Sequence, residues 1–399
     1  MPRTGATPDN NNEMNPVILL LALAGVNSGI AFRSVEPMLP RLAADFGTDI
    51  PTAANVITFF AISYAIAQLA HGALGDRFGK LRVITVMLGL STVGFAGCAF
   101  SPDLPTLLAW RAVTGVVSSA SVMLGMAYIG DTVALEERHT VMAHYMAGNV
   151  LGHALGPFVG GVLTDLLGWQ ATFMFISLAF GSVALILYRR TRSEWDVEER
   201  PALPAFALSR YTDILRAPSA RTVMLFAFVE TFFFFGAIAY LPALLKERFD
   251  LSYTLIGLTL SGFGAGGLLY AAAVSWLLRH FKPLTLVLAG GLLVFGCYAA
   301  SALLATWWPL VPCMVLLGFA FNMLHNTLQI RATEIAPHAR GIGMALFSFA
   351  WVLGQGLGVA AMGLGVAPFG YAAMIALYGA GFALFGVWMR NRFMLPGRA

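Results

Sequence analysis

The chain has 399 residues, 58% hydrophobic and only 11% charged, with a mean hydropathy of +0.76 and a formal net charge of +4. A soluble domain carries about 25% charged residues and rarely exposes large apolar patches, so a single soluble core is excluded and lipid must solvate most of the chain. The small basic excess gives no reason to expect nucleic acid as a partner.

A helix needs about 20 apolar residues to cross the hydrocarbon core. Twelve such runs fall near 17–38, 52–73, 83–100, 105–129, 141–163, 170–188, 222–243, 254–277, 284–304, 309–330, 342–364 and 369–389. They are too long and continuous for barrel strands, which alternate over about 10 residues. The expectation is an all-α integral membrane fold of twelve transmembrane helices. Residues 1–15 form a polar tail without the order of a cleaved signal, so the first helix is expected to be an uncleaved anchor. Between the second and third runs lies GALGDRFGKLR (72–82), where charges and glycines crowd one turn. Residues 189–221 are charged and proline-containing and form the one long linker. It divides the chain into six-helix halves, 16–188 and 222–390, with a short tail at 391–399. Arg41, Lys246 and Arg248 fall on one side of the membrane, Arg33 and Arg111 fall within helices, and every other Lys and Arg falls on the side of the termini. The positive-inside rule then puts both termini in the cytoplasm.

A fixed shift of 202 relates the halves. Leu39-Pro40 maps to Leu241-Pro242, Arg77 to Arg279, Lys80 to Lys282, Arg138 to Arg340, Gly152 to Gly354 and Gly156 to Gly358. Parallel repeats about an axis along the membrane normal are a known way to build a transporter, with the substrate site between the repeats. The second copy of the charged turn keeps the basic residues but has Leu278 in place of Asp76 and Phe281 in place of Gly79. Topology alone needs neither that aspartate nor those glycines.

GALGDRFGK closely resembles the loop signature of the major facilitator superfamily between its second and third helices, with Gly72, Leu74, Asp76, Arg77, Gly79 and Lys80 in the pattern positions. LAWRAVTG (108–115) resembles that superfamily's fourth-helix pattern through Arg111 and Gly115, and departs from it at Thr114, where glutamine is preferred. GNVLGHALGPFVGG (148–161) resembles the fifth-helix signature of its proton-coupled antiporters of drugs and metabolites, through Gly148, Gly152, Gly156, Pro157, Gly160 and Gly161. The resemblance covers about residues 16–390. It implies a gating latch in the cytoplasm: Asp76 facing the start of helix eleven near Gly341–Gly343 in the outward-open state, and Arg77 paired with Asp131, with Gly72, Gly79, Lys80 and Arg138 in the same device. It also implies that helices one, four, seven and ten line a central cavity.

Charged groups in the bilayer centre cost at least about 2.5–3.5 kcal/mol on insertion scales and mark functional candidates. Glu230 lies nine residues after Arg221, near the midplane. It suits a proton carrier or a counter-charge for a cationic substrate; a protonated glutamate hydrogen-bonded inside the bundle is the structural alternative. Arg111 needs a partner, and Glu36 is nearest by depth. Arg33 and Glu36, spaced i, i+3, share a helix face. Glu36 could therefore act as a proton switch between Arg33 and Arg111, or Arg33 could reach the outer interface instead. In helix ten, Asn322, His325, Asn326 and Gln329 fall on one face, while their repeat mates Ala120, Met123, Leu124 and Ala127 are apolar. With Arg33, this stripe is expected to face the substrate, or else to hydrogen-bond between helices.

Gly148, Gly152, Gly156 and Gly160, with Pro157, and Gly354 and Gly358 in helix eleven, form close-packing stripes between or within halves. Only one or two of Phe232–Phe235 are expected to line a pocket, and the rest to face lipid. Cys98, Cys297 and Cys313 show no metal-ligand spacing.

There is no nucleotide-binding loop, HExxH, His/Cys cluster or nucleophile elbow, so no enzyme and no cofactor are expected. A membrane sensor would carry a signalling domain. The sequence instead points to a secondary transporter. Proton-coupled export of small organic compounds leads, and uptake of a small organic anion is the alternative. Its expected partners are a small-molecule substrate, protons and the lipid bilayer, with the chain acting as a monomer in a bacterial inner membrane.

Overall fold

The structure, a computed structural model, describes residues 16–195, 208–336 and 340–394. The polar tail 1–15 and part of the linker lie outside the described residues. The first half comprises α1 (Pro16–Arg33), α2 (Leu39–Asp45), α3 (Ile50–Ala53), α4 (Asn55–Phe78), α5 (Lys80–Ala99), α6 (Leu104–Thr132), α7 (Leu135–Leu167) and α8 (Trp169–Thr191). A linker helix, α9 (Leu208–Leu215), leads to α10 (Pro218–Ile238), α11 (Leu241–Phe249), α12 (Tyr253–His280), α13 (Pro283–Leu303), α14 (Leu310–Glu334) and α15 (Arg340–Met394).

α15 is two membrane passes. Gly370 breaks it with φ 75° and ψ 166°, and Tyr378 Oη donates to Gly358 O at 3.1 Å. Twenty residues of straight helix would separate these two by about 30 Å, so the chain folds back at Gly370. Ten other membrane-spanning helices precede it among the described residues, which makes twelve passes and puts both ends of the described chain on one side, here the terminal face. Gly168, the repeat mate of Gly370, makes the corresponding turn in the first half with φ 87°. Residues with a Cβ rarely adopt that conformation.

The expected first run, 17–38, is not one straight helix. α1 stops at Arg33 and the path bends through Glu36–Met38 into α2, with Pro37 and Pro40 at the second positions of the two following segments. Proline cannot donate to the preceding turn but fits a helix start.

Packing repeats between the halves. α1 lies on α7 as α10 lies on the first limb of α15, and α4 on α6 as α12 on α14. α5 with α8 likewise matches α13 with α15. Two equivalent seams, α7 against α12 and α4 against α15, join the halves. Their close contacts fall toward the far face, opposite the termini. Gly161 sits against Tyr253 and Thr254, Gly257 against Pro157, and Gly264 against Ala154. On the other seam, Gly363 meets Pro51 and Thr58 Oγ1 donates to Gly356 O at 3.1 Å, while Ser348 Oγ donates to Gln68 Oε1 at 3.1 Å just past the middle of α4 on its terminal side. Beyond these points toward the terminal face, α7 residues such as Leu151 and Val150 and α12 residues such as Leu268 and Leu269 are exposed. The halves are closed together on the far face and spread on the terminal face.

Candidate functional site in the helix bundle

Glu230 is fully buried in the middle of α10. One carboxylate oxygen, Oε2, lies 2.9 Å from Nδ1 of His325 on α14. The other, Oε1, is buried without a partner among the described residues. The imidazole stacks on Phe321, one turn earlier, with centroids 5.1 Å apart at 14°. Phe347 and Trp351 of α15 flank it at 6.0 and 6.1 Å, and the His325 side chain keeps 16% exposure. Burying a charge carries an effective penalty of about several kcal/mol even after relaxation. A half-satisfied carboxylate against a titratable ring is therefore costly as scaffolding and well suited to holding or passing a proton.

The four polar residues of helix ten divide between neighbours. His325 turns to α10. Asn322 Nδ2 donates to Gly318 O of its own helix at 2.8 Å, and Asn326 Nδ2 donates to Tyr270 Oη of α12 at 3.2 Å. Gln329 is exposed. Shared helical phase put them on one stripe, but a stripe about 100° wide touches two neighbouring helices.

Arg33 and Glu36 form the second buried pair, with Nη1 and Oε1 2.7 Å apart and exposures of 2% and 1%. The contact is ionic, too bent for a well-aligned hydrogen bond, and Oε2 of Glu36 has no partner. Arg33 does not reach the outer interface. Its guanidinium carbon lies 4.9 Å from the ring centre of Phe235 and 5.6 Å from that of Phe263. Both rings belong to the other half, so this cation-π contact joins the halves where they are closed. Phe235 continues to Phe321 at 5.5 Å and to Trp351 at 5.3 Å. A layer of aromatic rings thus separates the two buried carboxylates. The phenylalanine run is correspondingly more buried than expected: Phe234 and Phe235 are buried, Phe232 and Phe233 half-buried.

Arg111 corrects an expectation. It is not brought to Glu36. Its Nε donates to Val56 O at 3.1 Å, and its guanidinium lies over Phe60 at 4.1 Å and near Phe173 at 5.7 Å. It is fully buried within the first half, with both terminal nitrogens unpartnered among the described residues. A carbonyl and aromatic faces stand in for the carboxylate, because Arg111 points to α4 and α8 while Glu36 is committed to Arg33. Neither arginine offers an exposed head to an organic anion in this state.

The charged turn holds a second correction. Lys80, not Arg77, binds Asp131, at 2.6 Å, and it also binds Asp76 at 3.2 Å. Arg77 lies over the Phe78 ring at 5.0 Å. The reversal follows from Gly79, whose φ of 87° ends α4 and sends Lys80 back toward α6. Gly75 packs on Leu124 and Gly72 near Met123, which brings α4 close to α6. Arg138 donates to Val133 O at 3.1 Å. Among the described residues, nothing lies within 4 Å of a Cβ built on Gly341.

The glycine stripes lie within halves. A Cβ on Gly148, Gly152, Gly156 or Gly160 would strike α1 at Ala22, Val26, Ile30 and Arg33, or Ser34 in turn. Gly354 and Gly358 meet Phe228 and Phe232 of α10, which are the positions 202 beyond Val26 and Ile30. Pro157 faces the other half at Gly257. Sequence reading missed Gln68, Ser348, Tyr270 and Asp165, all of which bond across helices. Single hydroxyls, amides and an aspartate at a helix end carry no spacing signal that names a distant partner.

A model of the Major Facilitator Superfamily matches residues 21–359. The uncharacterized MFS-type transporter YwfA of Bacillus subtilis is 25% identical over 87% of this chain and 85% of its own length. The class C tetracycline resistance protein of Escherichia coli is 27% identical over 77% of this chain and 78% of its own. The MFS-type transporter oryF of Aspergillus oryzae is 30% identical, but the match covers 40% of this chain and about a third, 34%, of that relative. The crystal structure of a bacterial homolog of the human lysosomal transporter Spinster, inward-facing and occupied, shares the fold with a TM-score of 0.77 at 16% identity, over 95% of this chain and 96% of that one. The family model spans most of a chain with twelve membrane passes, and this multi-pass membrane protein belongs to the Major Facilitator Superfamily, a family of transporters rather than enzymes.

Proposed function

We propose that the protein exports small organic compounds in exchange for protons, by alternating access between its two halves. The observation that carries this reading is the Glu230–His325 pair: a buried carboxylate and a partly exposed imidazole 2.9 Å apart on α10 and α14. A proton taken up there changes the charge of the pair by one unit; its loss restores it. In the state described, open on the terminal face, the pair gives up its proton and a compound enters beside His325 and Trp351. After the halves rock over, the compound leaves at the far face and a proton takes its place. Export is favoured by relatives that include the efflux pump radE of Floropilus chiversii and the tetracycline resistance protein. The reading places the protein in a bacterial inner membrane with its termini in the cytoplasm, following the basic residues. It works as a monomer, since one chain supplies both walls, and the proton gradient drives it without a cofactor.

Cells carrying the protein are expected to retain several-fold less of some compound from a panel of lipophilic cations, neutral antibiotics and organic acids than cells with an empty vector. An uncoupler should erase the difference. Equal retention of every compound, or a difference indifferent to the uncoupler, contradicts the reading.

A further inference from the structure

We propose that Asp165 is the latch that holds the halves closed on the far face, by capping α12 across the interface. Asp165 is the exposed third-last residue of α7, in the first half. Its Oδ1 accepts from Tyr253 N at 3.1 Å and its Oδ2 from Thr254 N at 2.6 Å. These are the first two residues of α12, in the second half. The first four amides of any helix lack partners within it. Here the next two are satisfied locally: Leu255 N donates to Ser252 Oγ at 3.2 Å, and Ile256 N donates to Ser252 O at 3.0 Å. The α12 start is thus complete only while the halves are together. When they part on this face, two amides and one carboxylate must return to water. The carboxylate also sits at the positive end of the helix dipole.

Gly161, one turn earlier on α7, permits the approach. A side chain there would run into the backbone of Tyr253 and Thr254. The repeat mate of Asp165 is Ala367, so the equivalent place in the second half carries no carboxylate. The resemblance to the superfamily assigns Asp76 a similar hold on helix eleven when the protein is open the other way. Asp76 ends α4 at the terminal face and Asp165 ends α7 at the far face, each beside a different seam. The state described has the far latch made and the near one unmade, with Asp76 on Lys80 instead of on α15. This inference rests on the two-state part of the function proposed above, and not on protons or substrate.

Spin-label distances in reconstituted full-length protein test it, with Cys98, Cys297 and Cys313 replaced by alanine. One pair, Gln170→Cys with Thr306→Cys, spans the far face; another, Glu137→Cys with Lys282→Cys, spans the terminal face. All four are exposed positions. Asp165→Asn keeps the shape and removes the charge. It is expected to raise the far-face open population roughly tenfold, the change that loss of a charge-assisted hydrogen bond implies, and to shorten the terminal-face distance in step. Leu166→Ala, an exposed neighbour, should change neither distribution. Identical distributions for wild type and Asp165→Asn overturn the latch. Two populations in the wild type would still leave alternating access standing, so the two failures can be told apart.

Discussion

Glu230→Gln is expected to reduce gradient-driven accumulation of substrate to the level of empty membranes while leaving substrate exchange intact. Glutamine matches glutamate in shape and still hydrogen-bonds to His325, so the packing against Phe321 and Trp351 is kept. It neither takes up nor releases a proton. With the proton step gone, the carrier still binds, reorients and releases substrate, and therefore runs as an exchanger. Reconstituted vesicles separate the two modes: uptake of a labelled compound under an imposed pH difference, against counterflow with unlabelled compound inside. Loss of the first with survival of the second is the expected pattern. If Glu230→Gln accumulates substrate as the wild type does, the coupling group is elsewhere. Glu36, the other buried carboxylate with an unpartnered oxygen, then becomes the residue to replace.

Gly152→Val should be among the most damaging single changes in the scaffold. A Cβ at Gly152 would overlap the backbone of Val26, carbonyl included, and backbone cannot rotate aside as a side chain can. α1 and α7 would have to separate along a seam four glycines long. Overpacking a core costs about 1–3 kcal/mol and occasionally more, and a backbone clash belongs at the upper end. Gly354→Val, its repeat mate, meets Phe228 in the same way and should behave alike. Gly296 supplies the contrast, with nothing within 4 Å of an added Cβ. Gly296→Ala is expected to be neutral or to stabilise by about 0.5–1 kcal/mol, because glycine is costly inside a helix. Thermal unfolding of the detergent-solubilised protein ranks the three. A Gly152→Val protein that melts with the wild type would contradict the seam.

The passes were legible in the sequence because lipid leaves a chain little choice: about 20 apolar residues per crossing and satisfied backbone throughout. The repeat was legible because paired positions keep one offset, and the structure extends it to Gly168 with Gly370 and to the contacts of the glycine stripes. Partnership was much less legible. Glu230 and His325 each stood out as polar groups in apolar runs, but nothing in a linear chain says that α10 and α14 bring them to 2.9 Å. Arg111 was misread because its charge was assumed to require a carboxylate, whereas Val56 O and the Phe60 face serve instead. Lys80 displaced Arg77 because one glycine with positive φ redirects the chain between them. Asp165 was invisible for a related reason: its partners are backbone amides, which every residue has.

Inside-out membrane vesicles, acidified by respiration and carrying a pH-sensitive dye, test proton-coupled export most directly. A compound that the protein moves is added to wild-type vesicles, to Glu230→Gln vesicles and to vesicles from an empty vector. Discharge of the gradient in the wild type alone is the expected result, since each compound carried inward brings a proton out. A compound that enters wild-type vesicles without discharging the gradient, or that discharges it equally in Glu230→Gln, would contradict the account.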